Sequence, residues 1–145
     1  MVVGTDPVDG LERELSVLLR RARGSWAQVA REVHPELEPA AYGLLLRLEE
    51  VGGARLTDLS TYFGVGKPTV SRQVRLLERL GLVQRRADAN DGRAQELQLT
   101  EDGLRRVREV RQARRKQFRT LLASWDQVEV EELGRLLRRF NEVLS

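Results

Sequence analysis

The chain has 145 residues, 32% of them charged and 5% aromatic, and its 25 Lys and Arg exceed its 22 Asp and Glu for a net charge of +3. One domain with one core suits that length, and the absence of cysteine excludes a disulfide scaffold, a thiolate metal site and a cysteine redox switch. No apolar run approaches the roughly 20 residues needed to cross a bilayer, and Met1–Gly10 lacks the basic start and apolar stretch of a secretory signal, so a cytoplasmic protein with no membrane partner is expected.

Residues 1–8, with Gly4 and Pro7, read as a loose tail. Leu11, Leu15, Leu18, Ala22, Trp26, Val29 and Val33 then recur at three- and four-residue steps. They form one stripe on a helix of about 25 residues, or about 38 Å, longer than a small core can cover. Pro35 stops it, because a proline pushes the preceding residue out of the helical region. Glu38-Pro39 opens a second helix, with Pro39 at the first position, and Gly52-Gly53 ends it. Its apolar side is Tyr42, Leu45, Leu46 and Leu48.

Two short helices follow, Leu56 to Phe63 and Lys67 to Leu80, separated by Gly64-Val65-Gly66. Gly81 closes the second as a C-terminal cap. The period then changes to two. Val83, Arg85 and Ala87, and later Gln95, Leu97 and Leu99, flank the turn formers of residues 88–93, which predicts a β-hairpin. Thr100 caps a helix running to Ala123, and Asp126 with Glu129 makes a capping-box start for the last helix. These two carry apolar stripes, Leu104, Val107, Val110, Phe118, Leu121 and Leu122 on one, and Leu133, Leu136, Leu137, Phe140, Val143 and Leu144 on the other.

The short pair is the most informative feature. Leu59, Tyr62 and Phe63 are expected to face inward, with Val65 as an apolar plug in the turn. The second helix buries Val70, Val74 and Leu77 and shows Lys67, Thr69, Ser71, Arg72, Gln73 and Arg75 on its other side. Two short helices joined by a glycine turn make a helix-turn-helix, whose second helix can enter the major groove of double-stranded DNA. Thr69 and Ser71 can bond a base or a phosphate, and Arg72 and Arg75 can pair with guanine edges or phosphates. The first backbone N–H groups of that helix offer a further phosphate site. The alternative is an ordinary helical hairpin with a solvated polar face.

The hairpin sharpens the reading. It follows the recognition helix directly, carries Arg85 and Arg86 at the far end of its first strand, and has Arg93 just past the tip glycine. A wing so placed brings its tip arginine to a minor groove, with Asp91 set to orient that guanidinium. Charge placement agrees: residues 55–93 sum to +4, against −3 before them and +2 after. The bland alternative is a surface turn with unrelated arginines.

The run from Leu59 through Val65-Gly66-Lys67-Pro68-Thr69-Val70-Ser71-Arg72 to Leu76–Arg86 resembles the multiple antibiotic resistance regulator (MarR) family. So do Asp91-Gly92-Arg93-Ala94 and Leu97-Gln98-Leu99-Thr100-Glu101-Asp102-Gly103, and the helix order matches over residues 9–145. The resemblance implies a mainly α winged-helix homodimer with a small β-hairpin wing, which represses or activates transcription and is released by a small molecule. It places Lys67, Pro68, Thr69, Ser71, Arg72, Arg75, Arg85, Arg86 and Arg93 at DNA, with Asp91 supporting the wing. Arg55, where the family has a good N-cap, and Ser60, where it has alanine, are departures. The organisation expected is a single domain over 1–145, with a winged helix-turn-helix at 38–100 between dimerisation helices at 9–34 and 101–145.

A dimer is also expected on physical grounds, because the terminal helices expose stripes that one domain of this size cannot cover. Two-fold pairing would set the recognition helices roughly 34 Å apart and imply a palindromic operator. The resembled family binds effectors between the dimer helices and the winged domain, on segments that here carry Trp26, His34, Tyr42 and Arg47. Each has a plainer reading: Trp26 as packing, Tyr42 as core with its hydroxyl at the edge, and His34 as a loop residue. An enzyme is disfavoured, because the one histidine sits beside Pro35 and no nucleophile–base arrangement or phosphate loop is visible. With no Cys and one His, no metal and no cofactor are expected. A dimerisation module that ignores DNA is the remaining alternative, and rising salt would separate it from a DNA binder.

Overall fold

The computed structural model describes residues 6–88 and 90–144, and the chain divides into two compact units at Val110 and Arg111. The first unit holds α1 (Pro7–Val33), α2 (Pro39–Val51), α3 (Leu56–Phe63), α4 (Lys67–Arg79), the strands β1 (Val83–Ala87) and β2 (Gln95–Leu99), and the first half of α5 (Glu101–Leu121). The second holds the rest of α5 and α6 (Gln127–Leu144).

The start of α1 corrects the expectation of a loose tail over residues 1–8. Asp6 caps the helix by accepting from the Val8 N–H at 3.0 Å, and Pro7 takes the first turn, where its missing donor costs nothing. Residues 1–5 of that tail lie outside the described residues. At its other end α1 stops at Val33, with His34 extended before Pro35. Only Val29, Ala30 and Val33 of α1 are buried, while Leu11 and Leu18 stand half exposed. The long helix therefore reaches the core with its last two turns alone.

That core is built around α2, whose Ala41, Tyr42, Leu44, Leu45 and Leu48 are all buried. Leu59 from α3, Val70, Val74 and Leu77 from α4, and Val107 and Val110 from α5 close on it. Arg106 ties α5 to α1 by donating from Nη1 to the Val33 carbonyl at 3.1 Å. A cation there also suits the negative end of the α1 dipole.

β1 and β2 pair antiparallel, Val83 opposite Leu99 and Ala87 opposite Gln95. Ala54 adds a one-residue bridge to Leu97 on the other edge of β2, with bonds of 3.0 and 2.8 Å. The hairpin face is buried at its root, by Val83 and Leu97, and runs into solvent towards the tip.

In the second unit, α5 ends at Leu121, a little before the expected Ala123. The Asp126–Glu129 capping box forms as expected, each side chain accepting from the other's backbone N–H. No described residue of α6 is buried.

Candidate nucleic-acid interface

The turn between α3 and α4 is set by Gly64, whose φ of 64° suits a left-handed C-cap. The Val65 N–H reaches back to the Ser60 carbonyl, and the Ser60 hydroxyl donates to the Val65 carbonyl at 2.5 Å. Ser60 thus pins the turn from both ends, which an alanine there could not do.

Two expectations about this region are corrected. Leu59 faces inward, but Tyr62 and Phe63 do not, and Val65 is exposed rather than a plug. An eight-residue helix has two turns, and Leu59, with a partly buried Leu56, fills its share of the core. The Tyr62 ring lies instead under the Arg47 guanidinium, 3.9 Å from its carbon, and edge-on to Phe63.

α4 behaves as its pattern requires. Val70, Val74 and Leu77 are fully buried, while Lys67, Pro68, Arg72 and Arg75 are exposed and Thr69 and Ser71 lie at the margin. The helix start offers fewer donors than expected, because Pro68 has no N–H and those of Thr69 and Val70 bond the Gly66 carbonyl.

The end of α4 is joined to the wing by a compact set of bonds. Gly81, at φ 75°, and Leu82 return their N–H groups to Glu78 and Leu77 in a Schellman arrangement. Thr100 then works three ways: its hydroxyl donates to the Gly81 carbonyl at 2.6 Å, its N–H donates to the Leu82 carbonyl at 3.0 Å, and its oxygen accepts from the Gly103 N–H. The recognition helix, the wing root and α5 are therefore locked at one junction.

Arg86 and Arg93 are exposed on the wing. Arg85 is held back against α4, its Nε 3.0 Å from Glu78 Oε1 and its Nη1 3.5 Å from Gln95. At the tip, Asp91 accepts from the backbone N–H of Arg93 at 3.1 Å, so it shapes the turn through the main chain rather than through the guanidinium. The pairing of Arg55 with Asp88 at 2.9 Å is a feature that sequence reasoning missed. Asp88 is held below the usual carboxylate range, by the Asn90 backbone N–H first and the Arg55 side chain second, and Arg55 is raised by the same carboxylate. The available signal was a basic residue at the start of α3, where no side-chain cap forms.

The four candidate effector residues have separate partners, apart from one ring contact. Trp26 and Tyr42 meet with ring centroids 5.6 Å apart. Tyr42 is fully buried, and its hydroxyl has no hydrogen-bond partner, in place of the edge position expected. His34 accepts from the Glu36 N–H through Nδ1, and Arg47 is engaged with Tyr62 and Glu50. No described helix is long and apolar enough to cross a membrane.

Two helices across a glycine turn, followed by an arginine-bearing β-ribbon locked to the second of them, define a winged helix-turn-helix protein. The sequence model of the MarR family matches residues 36–94, from before α2 through α3, α4 and β1 to the loop that precedes β2. Over 137 residues the chain is 33% identical to the uncharacterized HTH-type transcriptional regulator YxaD of Bacillus subtilis (strain 168), covering 94% of each. It is 24% identical over 102 residues to the HTH-type transcriptional repressor IacR of Pseudomonas putida, covering 70% of this chain and 61% of that one. Among solved structures, a MarR family protein from Bacillus stearothermophilus superposes with a TM-score of 0.73 at 27% identity, over 94% of this chain and 96% of the other. The chain belongs to the MarR family, whose members are transcriptional regulators and not enzymes.

Proposed function

We propose that this regulator is a homodimeric repressor that binds a palindromic operator in the cytoplasm and is released by a small-molecule effector. The observation that carries the DNA-binding part is the amphipathic division of α4. Its apolar residues are consumed by the core, so Lys67, Arg72 and Arg75 are left exposed, as are Arg86 and Arg93 on the wing. Thr69 and Ser71 border the exposed side of α4, and Pro68 fixes the start of the helix. Such a surface suits a major groove under α4 and a minor groove under the wing tip. Arg85 serves the site through Glu78, and Asp91 through the Arg93 backbone.

Dimerisation is supported by α6, where Leu133, Leu136 and Leu137 are each more than 40% exposed. With Phe118 and Leu121 of α5 and Leu11 and Leu18 of α1, they leave apolar area that a second copy would cover. In this reading residues 9–34 and 101–145 form the clasp and residues 38–100 the DNA-binding part. The repressor sign is supported by the relative IacR. Effector release rests on the family resemblance, which puts Trp26, His34, Tyr42 and Arg47 on the segments that would line the crevice.

Fluorescence anisotropy with a labelled duplex tests the reading. Wild-type affinity should fall steeply with salt as counterions compete, and Arg93→Ala should weaken binding strongly with the sedimentation coefficient unchanged. Equal affinity of the two proteins at physiological salt would remove the wing from the interface.

A further inference from the structure

We infer that Arg55 is a positioning residue for DNA binding, acting through its ion pair with Asp88 to fix the wing relative to the recognition helix. This rests on the proposal that the wing contacts DNA. The two partners come from separate parts of the fold. Arg55 immediately precedes α3, beside Ala54 on one edge of β2, whereas Asp88 follows β1 on the other edge. Their bond therefore ties the start of the helix-turn-helix to the outer strand of the hairpin.

Asp88 is also the anchor of the tip. Its Oδ2 takes the Arg55 Nε at 2.9 Å, and its Oδ1 takes the Asn90 N–H at 2.8 Å. Its own N–H donates to the Ala94 carbonyl at 2.9 Å, closing the loop that carries Arg93. Asp91 continues the chain of bonds, with its carbonyl accepting from Ala94 and its carboxylate from Arg93. On the opposite side, Glu78 holds Arg85 against α4. The hairpin is thus braced at two points, one from α4 and one from the segment before α3. A two-stranded ribbon has little rigidity of its own, so such braces decide where its tip stands.

The pair is partly open to solvent, with Arg55 41% exposed and Asp88 14%. When the arginine is removed, Asp88 keeps the Asn90 N–H as a donor, so its carboxylate is not left without a partner. Removing the arginine should therefore leave unfolding nearly unchanged and act on DNA affinity through the wing. A direct phosphate contact by Arg55 would behave differently, because its loss would add to the loss of Arg93 and lower the salt slope by itself.

The test measures affinity for a duplex that the wild-type protein recovers from a random pool, using Arg55→Ala, Arg93→Ala and the double variant. Arg55→Ala should bind about tenfold more weakly, with a urea midpoint close to wild type and faster amide exchange at Asn90 and Arg93. In the Arg93→Ala background the same change should cost less than twofold. Wild-type affinity for Arg55→Ala, or a full additive loss in the double variant, overturns the inference while the wing reading stands. An Arg93→Ala protein that binds like wild type overturns the wing reading, and this inference with it.

Discussion

Gly103 gives the sharpest test of how the wing is joined to the rest of the chain. It sits in the first turn of α5 against the Leu82 backbone, and a Cβ built there would lie 2.1 Å from the Leu82 oxygen and 3.0 Å from its carbon. Leu82 cannot move freely, because its oxygen accepts from the Thr100 N–H and its N–H is bound to the Leu77 carbonyl at the end of α4. Gly103→Ala therefore forces the start of α5 and the wing root apart by about 1 Å, an overpacking that costs about 1–3 kcal/mol. Stretching the Thr100–Leu82 bond costs about 1 kcal/mol more. Alanine returns roughly 1 kcal/mol in helix propensity. The net expectation is a loss of about 2 kcal/mol, read from urea unfolding at fixed protein concentration, since association shifts apparent stability. An alanine variant as stable as wild type would mean that the junction yields without cost, and that the wing root is not locked to α5.

Three further outcomes are expected. Arg72→Ala should lower discrimination between operator and random duplex by about 1–3 kcal/mol, whereas equal loss on both would make Arg72 a phosphate contact. If the proposed dimer forms in sedimentation at micromolar concentration, Leu137→Glu should give a monomer, because Leu137 sits on the α6 stripe at 41% exposure; a variant that still sediments as a dimer would place the interface elsewhere. Asp88 and Asp102 should titrate by NMR below the ordinary value of about 3.9. Backbone and Arg55 bonds hold down the first, and the Arg105 and Arg106 side chains hold down the second. Their folded pKa values are depressed, so the stabilisation is complete above the unfolded value and is lost as pH falls through the lower folded one; midpoints at or above the ordinary value would contradict the bonds.

The parts of the fold visible in the sequence are those governed by local chemistry. Pro39, Gly52, Gly64, Gly81, Thr100 and Asp126 each mark a helix end by what their own backbone or side chain can do, and the structure puts helix ends there. Alternation by two located the hairpin, and spacing by four located the buried face of α4. What stayed hidden depends on neighbours distant in sequence. Tyr62 is apolar enough to be placed in a core, yet its ring is covered by Arg47, a residue of another helix. Arg55 looked like a poor helix cap because its partner lies 33 positions away. Arg85 resembled Arg86 and Arg93 as a free cation, and only the pairing of β1 beside α4 brings it to Glu78.

In the proposed dimer, one basic surface made from α4 and an arginine-tipped wing is presented twice by a two-fold clasp. Selection of bound duplexes from a fully random pool tests it most directly. The recovered sites should form an inverted repeat with half-sites one helical turn apart, about 10 base pairs centre to centre. Recovery of a single unrepeated site, or of no enriched sequence at all, would contradict it.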